Sequence, residues 1–314
     1  MRIGFMGTPD FARAHLEALI NAGHEVMFVL CRADKPVGRK KILTAPPVKE
    51  CALEHNIPVY QPESLKDGAI KDVLDKYKPE LIVVVAYGRI LPEYVLNYPE
   101  YGCINVHGSL LPKYRGASPV QSAIIDGETE TGITVMYMDK GLDTGDMILK
   151  KKCAIDIKDN QITLFDKLEK LGMEGLLETV ELIEKGEVQR EAQNENDSNY
   201  ASVLTSKTGH IDWEKDALTV HNLVRGTYPW PAAYSYFEGA KYKITETELS
   251  DKRGKPGEVL VSSPKEGLVV AAGNGAIKIL RLQAEGGKEM NAADYLRGHS
   301  FEIGKTFDKY TEEV

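Results

Sequence analysis

Cysteine is scarce in this chain: four residues in 314, at Cys31, Cys51, Cys103 and Cys153, with no C-x-x-C unit and no Cys/His cluster. Such spacing argues against a disulfide framework or a zinc site and reads as small buried side chains in a reducing compartment. No metal is expected. Long apolar runs are also missing, since none approaches the ~18 residues of a membrane span. The apolar stretch at Ile3–Met6 is stopped by Pro9-Asp10 and is too short for a signal peptide. No membrane partner and a cytoplasmic location are therefore expected. A basic excess is lacking too: net charge is −8, so composition does not advertise a polyanion as partner. The imbalance is uneven, with 24 Lys+Arg against 31 Asp+Glu through Leu204 and 15 against 16 from Thr205 onward. Internal repeats and low-complexity tracts are absent, and no obligate protein partner is evident. What remains is an ordinary globular composition, 42% hydrophobic and 27% charged, able to bury a core without covalent staples.

The first half alternates apolar runs with helical patterns. Strands are expected at 3–6, 26–31, 58–60, 81–86, 103–107, 133–138 and 147–155. Helices are expected at 11–22, 48–56, 67–78, 119–126 and 162–185. The continuous apolar run from Leu81 suits a strand covered on both faces. Strand–helix alternation of this kind indicates an α/β fold with a parallel sheet. The segment from Ala192 to Ser202 is polar and has no period, so it reads as a linker. Beyond it come short alternating runs separated by Gly, Pro and Asn, the pattern of a small β-rich domain, plausibly a barrel. The division is 1–190, a linker over 191–206, and 207–314.

The first turn, Gly4-Phe5-Met6-Gly7-Thr8-Pro9, stands where a dinucleotide fingerprint would, but lacks the second glycine that admits a pyrophosphate. The informative stretch is Cys103 to Gly116. Asn105 and His107 are two apart on a strand, so their side chains leave the same face, at the end where open α/β sheets hold ligands. An amide there can donate to a developing oxyanion, and an imidazole can move a proton near neutral pH. Downstream, glycines bracket Asp143, so a tight turn can aim its carboxylate inward. With no Ser or Cys nucleophile in the pattern, these groups suit direct transfer. Taken singly, such residues more often have a structural role: a hydrogen-bonded strand-end histidine, or an aspartate in an Asx turn or helix cap. Trp213 and Trp230 read as core anchors.

Asn105-Val106-His107-Gly108-Ser109-Leu110-Leu111-Pro112, then Tyr114-Arg115-Gly116, then Asp143-Thr144-Gly145-Asp146, closely resemble the folate-dependent formyltransferase family. The resemblance implies a Rossmann-like parallel-sheet catalytic domain and 10-formyltetrahydrofolate as co-substrate. It makes Asn105, His107 and Asp143 the catalytic residues. By the same resemblance Ser109, Leu110, Leu111 and Pro112 form a folate-contacting loop, with Val84, Tyr87, Gly88, Asp139 and Gly141 helping to line the pterin pocket.

Four further stretches are similar to the branch of that family whose acceptor is the initiator methionyl-tRNA. They are the opening Gly4 to Ala12, the loop Asp34 to Lys41, and the segments 209–213 and 221–233. The loop carries four cations in seven residues, Lys35, Arg39, Lys40 and Lys41, able to neutralise phosphates. The resemblance implies that it reaches the tRNA and that the C-terminal domain is OB-like and touches the tRNA as well. Lys241, Lys243, Lys252, Arg253 and Lys255 are a second candidate cluster. Alternatives stay open: a small-molecule amine acceptor, water as acceptor, or a folate- or RNA-binding protein without catalysis.

Overall fold

The computed structural model describes residues 1–38 and 40–309. Arg39, expected to contact tRNA, lies outside the described residues. The chain begins with β1 (Arg2–Gly7), α1 (Asp10–Asn21), β2 (Glu25–Leu30), β3 (Lys35–Val37), β4 (Ile42–Thr44), α2 (Pro47–Glu54), β5 (Val59–Tyr60), α3 (Lys71–Tyr77) and β6 (Leu81–Val85). It continues through α4 (Glu93–Leu96), β7 (Cys103–His107), β8 (Arg115–Gly116), α5 (Pro119–Ile125), β9 (Glu130–Tyr137), β10 (Met147–Ala154) and α6 (Gln161–Lys185). The remainder is β11 (Tyr200–Ala201), α7 (Ala217–Thr227), β12 (Ala233–Phe237), β13 (Ala240–Ser250), β14 (Val259–Ser263), β15 (Gly267–Ala271), β16 (Ala276–Ala284), β17 (Met290–Asn291) and α8 (Ala292–Tyr295).

Two compact units form. The first comprises 1–116, 132–153 and 166–200, the second 117–131, 154–165 and 201 onward. The sequence pattern places 1–190 in one piece. The two inner segments instead find most of their neighbours in the second unit, where α5 packs on α7. Gly226 of α7 permits that approach, because a Cβ there would stand 2.6 Å from Ile125.

The first unit is built on a seven-stranded sheet of order β10-β9-β7-β6-β1-β2-β5. From β5 through β7 neighbouring strands run parallel, and β9 is antiparallel to β7. All five residues of β6 are buried, as a two-faced strand requires. The helix expected from 67 begins only at Lys71, because Asp67 and Gly68 turn the chain at φ 55° and 75°. Lys78 ends that helix in the left-handed region. Burial pushes the thiols of Cys31 and Cys51 up to about 11 and that of Cys103 up to about 12, the inert state expected of core cysteines.

The second unit carries an antiparallel sheet of order β12-β13-β16-β15-β14, with β17 beside β16. Its core gathers Trp213, Phe237, Phe301 and Phe307, whose rings meet at centroid distances of 5.0–5.7 Å. The Trp213 indole donates to Ser235 Oγ at 2.9 Å. Trp230 corrects the expectation that both tryptophans anchor the core: it lies between two prolines and is 60% exposed. The His221–Gly226 motif is spent internally. His221 meets Thr247 at 2.8 Å and the Ile157 carbonyl at 3.1 Å, while buried Arg225 donates to Asn222 and to the carbonyls of Asp156 and Asp159.

Candidate active site

Strand β7 presents Asn105 and His107 at the carboxyl end of the parallel sheet, where the neighbouring strand residues are Val84 of β6 and Thr134 and Met136 of β9. Asn105 is half-buried, and its side chain has no hydrogen-bond partner among the described residues. His107 is 6% exposed, and its Nε2 lies 2.8 Å from the Tyr114 carbonyl oxygen. A carbonyl can only accept, so Nε2 carries the proton and Nδ1 is the nitrogen left to exchange one.

Asp143 reaches that nitrogen from the turn between β9 and β10. Its Oδ2 lies 3.8 Å from His107 Nδ1, beyond a hydrogen bond but within ion-pair range. The same oxygen accepts the Gly116 N–H at 2.8 Å, leaving Oδ1 without a partner among the described residues. Asp143 sits at φ 56°, a left-handed conformation that an aspartate tolerates better than most side chains. The turn is tight on both sides. A Cβ on Gly145 would fall 1.9 Å from the Tyr137 carbonyl, and one on Gly141 would fall 2.0 Å from Thr144 Oγ1. Asp139 closes it by accepting from Gly141 N at 2.9 Å and Thr144 Oγ1 at 2.7 Å.

The residues expected to contact folate divide. Ser109 is fully buried, donates to the Lys113 carbonyl at 2.6 Å, and its own carbonyl accepts from Thr134 at 2.7 Å. Leu111 is 2% exposed in a cluster with Met136 and Met147. Those two side chains hold the loop in place, while Leu110 and Pro112 are half-buried. Val84 and Tyr87 likewise belong to a core cluster, and Gly88 is exposed at φ 73°. Asp139 and Gly141 are exposed.

Four residues beside the site were invisible to the sequence reading in this role. The Arg115 guanidinium, 0% exposed, donates to both carboxylate oxygens of Glu195 at 2.9 Å and to Gln193 Oε1 at 3.0 Å. Gln193 donates to the carbonyls of Asp143 and Gly145, each at 2.8 Å. Asn199 Oδ1 accepts from the Tyr114 N–H. At Gln193, Glu195 and Asn199 the stretch expected to be a linker is thus bonded to the loops that carry Tyr114, Arg115 and Asp143. Its polar, amide-rich composition was the available signal.

The basic stretch is a hairpin, β3 paired antiparallel to β4, with Lys35 opposite Thr44 and Val37 opposite Ile42. Lys35, Lys40 and Lys41 are exposed. At its foot Lys49 donates to both Asp34 oxygens at 2.9 Å, and Gln61 donates to Asp34 Oδ1 at 2.8 Å. The Gln61 and Lys49 hydrogen bonds hold the Asp34 carboxyl below its ordinary range. The second basic cluster does not form one patch. Lys241 and Lys243 start the eleven-residue β13 and line a cavity of about 250 Å³ with Gln283 and Glu285, whereas Lys252 lies past its far end. The intervening strand separates them by roughly 30 Å at ~3.3 Å per residue.

With this geometry in hand, the chain's relatives are informative. The family model described as formyl transferase matches residues 1–180, and the formyl transferase C-terminal domain matches 203–300. The chain belongs to the formyl transferase family. Among curated relatives, the methionyl-tRNA formyltransferase of Caldanaerobacter subterraneus subsp. tengcongensis is 48% identical over 97% of this chain and 99% of its own. That of Alkaliphilus oremlandii is 47% identical over 97% and 98%. Solved structures share the fold at low identity. HypX from Aquifex aeolicus, in complex with tetrahydrofolic acid, superposes with TM-score 0.65 at 20% identity over 94% of this chain, which spans 47% of the HypX chain. WlaRD, a sugar 3N-formyl transferase, gives 0.67 at 19% identity over 90% and 97% of the two chains. Among the described residues no helix is long and apolar enough to cross a membrane, and no group of three or more His, Cys, Asp or Glu could hold a metal ion.

Proposed function

We propose that this chain transfers the formyl group of 10-formyltetrahydrofolate to the α-amino group of initiator methionyl-tRNA, giving N-formylmethionyl-tRNA for translation initiation in the cytoplasm. The reaction class rests on family membership and the acceptor on the methionyl-tRNA formyltransferases nearly half identical over almost the whole chain. The observation that carries the chemistry is the approach of His107 Nδ1 to Asp143, on the strand that also carries Asn105, whose amide has no partner among the described residues.

The residues divide the work as follows. Asn105 donates its amide N–H to the formyl oxygen as negative charge develops there. In its doubly protonated, imidazolium form His107 directs its Nδ1–H at the same oxygen, since Nε2–H is already committed to Tyr114. Asp143 Oδ2 is fixed by Gly116, so Oδ1 is the basic atom that accepts the proton leaving the attacking amine. That proton is then available for the departing nitrogen of the folate. Esterification to tRNA lowers the basicity of the amine and keeps part of it neutral near pH 7. Positioning supplies much of the remaining acceleration, because a formamide-like carbon is electrophilic once held.

Folate fits what these residues offer: an Asn105 amide with no partner among the described residues, and the loop 109–112 pinned by Ser109 and Leu111. Lys35, Arg39, Lys40 and Lys41 of the basic stretch meet tRNA phosphates. Supplying 10-formyltetrahydrofolate with methionyl-tRNA, glycinamide ribonucleotide, an aminosugar nucleotide, or no acceptor tests the assignment. Tetrahydrofolate should appear only with methionyl-tRNA; release with another acceptor, or with none, overturns it.

A further inference from the structure

The His107–Asp143 contact needs two things held still: the carboxylate, and the Gly116 N–H that orients it. Both are tied to the chain between 193 and 199. Gln193 spends its amide completely, with two N–H bonds to the Asp143 and Gly145 carbonyls and its Oε1 taken by Arg115 Nε. Arg115 immediately precedes the Gly116 donor, and its own main-chain N–H bonds the Asn199 carbonyl at 3.0 Å. One side-chain amide thus links the two loops that meet at the Asp143 carboxylate, 27 residues apart in sequence.

The turn needs such support. Asp143 at φ 56° holds a conformation that is unfavourable for a residue with a Cβ and persists only where neighbours hold it. On one side Tyr137 N–H bonds the Asp146 carbonyl at 2.8 Å. On the other, Gln193 is the side-chain donor reaching the carbonyls of 143 and 145. A shorter or acidic side chain at 193 removes both donors at once.

We propose that Gln193 is a positioning residue of the reaction, clamping the 143–145 turn so that the Asp143 carboxylate stays on Gly116 N–H and beside His107. The inference rests on the role assigned to Asp143 above. It makes a stretch with the composition of a linker part of the catalytic apparatus.

Two readouts test it on the full-length protein with Gln193→Ala and Gln193→Glu. The first is amide hydrogen exchange at Gly116, followed by NMR against β1 amides as an internal reference for global stability. Exchange there should quicken about tenfold in both variants, the scale of one lost hydrogen bond, and likewise in an Asp143→Ala control. The second is kinetic. Each variant should lower kcat roughly tenfold while leaving KM for both substrates within about twofold, and should cost nothing further in an Asp143→Ala background, as expected of residues acting as a unit. Unchanged Gly116 exchange in the Gln193 variants overturns the proposal, and so does an equal loss of kcat with and without Asp143. A wild-type protein that does not formylate methionyl-tRNA would reject the proposed function, while the exchange measurement would still decide the role of Gln193.

Discussion

The Tyr114 carbonyl oxygen stands 2.8 Å from His107 Nε2 and fixes which nitrogen of the imidazole holds its proton. Chemistry is thereby confined to Nδ1, the nitrogen 3.8 Å from Asp143. His107→Ala, Asn105→Ala and Asp143→Ala should each lower kcat by ~10²-fold or more with unfolding midpoints close to wild type, the scale of losing an oxyanion donor or an acid–base group. Steady-state kinetics alongside thermal unfolding checks this. Near-normal turnover in any one of them would remove that residue from its role.

The hairpin makes a separable prediction. Replacing Lys35, Arg39, Lys40 or Lys41 by alanine should raise KM for tRNA and leave KM for the folate unchanged. Each replacement should also reduce the slope of log affinity against log salt by about one for every phosphate no longer neutralised. Filter binding across a salt series reads the slope. An unaltered slope for all four variants would reject the hairpin as the phosphate-binding element.

Acid should destabilise the first unit through His15. This side chain is fully buried in α1, its Nδ1 lies 2.6 Å from the Phe11 carbonyl, and Gly172 of α6 leaves room for its ring. Burial lowers its pKa to about 4, so the folded protein keeps it neutral while the unfolded chain protonates it near 6.5. The unfolded state therefore binds more protons between those values. Stability is full above about pH 6.5 and is lost as pH falls toward 4, by about 2 kcal/mol between pH 7 and 5. Urea unfolding at both pH values should show that loss in the wild type and a loss smaller by about that amount in His15→Gln. Equal losses in the two proteins would contradict the assignment.

The two tryptophans should behave oppositely. Trp213→Ala should cost ~3–5 kcal/mol, since it empties a buried aromatic site and orphans Ser235. Trp230→Ala should stay within about 0.5 kcal/mol, as exposed substitutions usually do. Denaturant midpoints of the two variants settle the comparison.

Much of this was legible because it is periodic or local. The apolar runs at Leu81 and Cys103 announce strands, and the two-residue spacing of Asn105 and His107 puts both on one face. The glycines around Asp143 mark its turn. Other features are neither periodic nor local. Arg115 is 78 residues from Gln193 and 80 from Glu195, and no pattern in either segment announces the pairing. The polar stretch around Gln193 resembles a linker because its bonds are made by side-chain amides to main chain, which leave no hydrophobic period. Trp230 sits in a turn outside any periodic segment, so no pattern marks it as exposed, and the hairpin strands at Lys35 and Ile42 are three residues each, too short for an alternation to register.

The central claim is direct transfer of one carbon by an amide, an imidazole and a carboxylate, without an acylated protein in between. Rapid-quench analysis of a single turnover, with 10-formyltetrahydrofolate labelled in its formyl carbon and methionyl-tRNA as acceptor, tests it most directly. Label should leave the folate and appear on the methionine amine at the same rate, with none on the protein at any time point. Label retained covalently by the protein, at a level that rises and then decays as the product forms, would contradict the account.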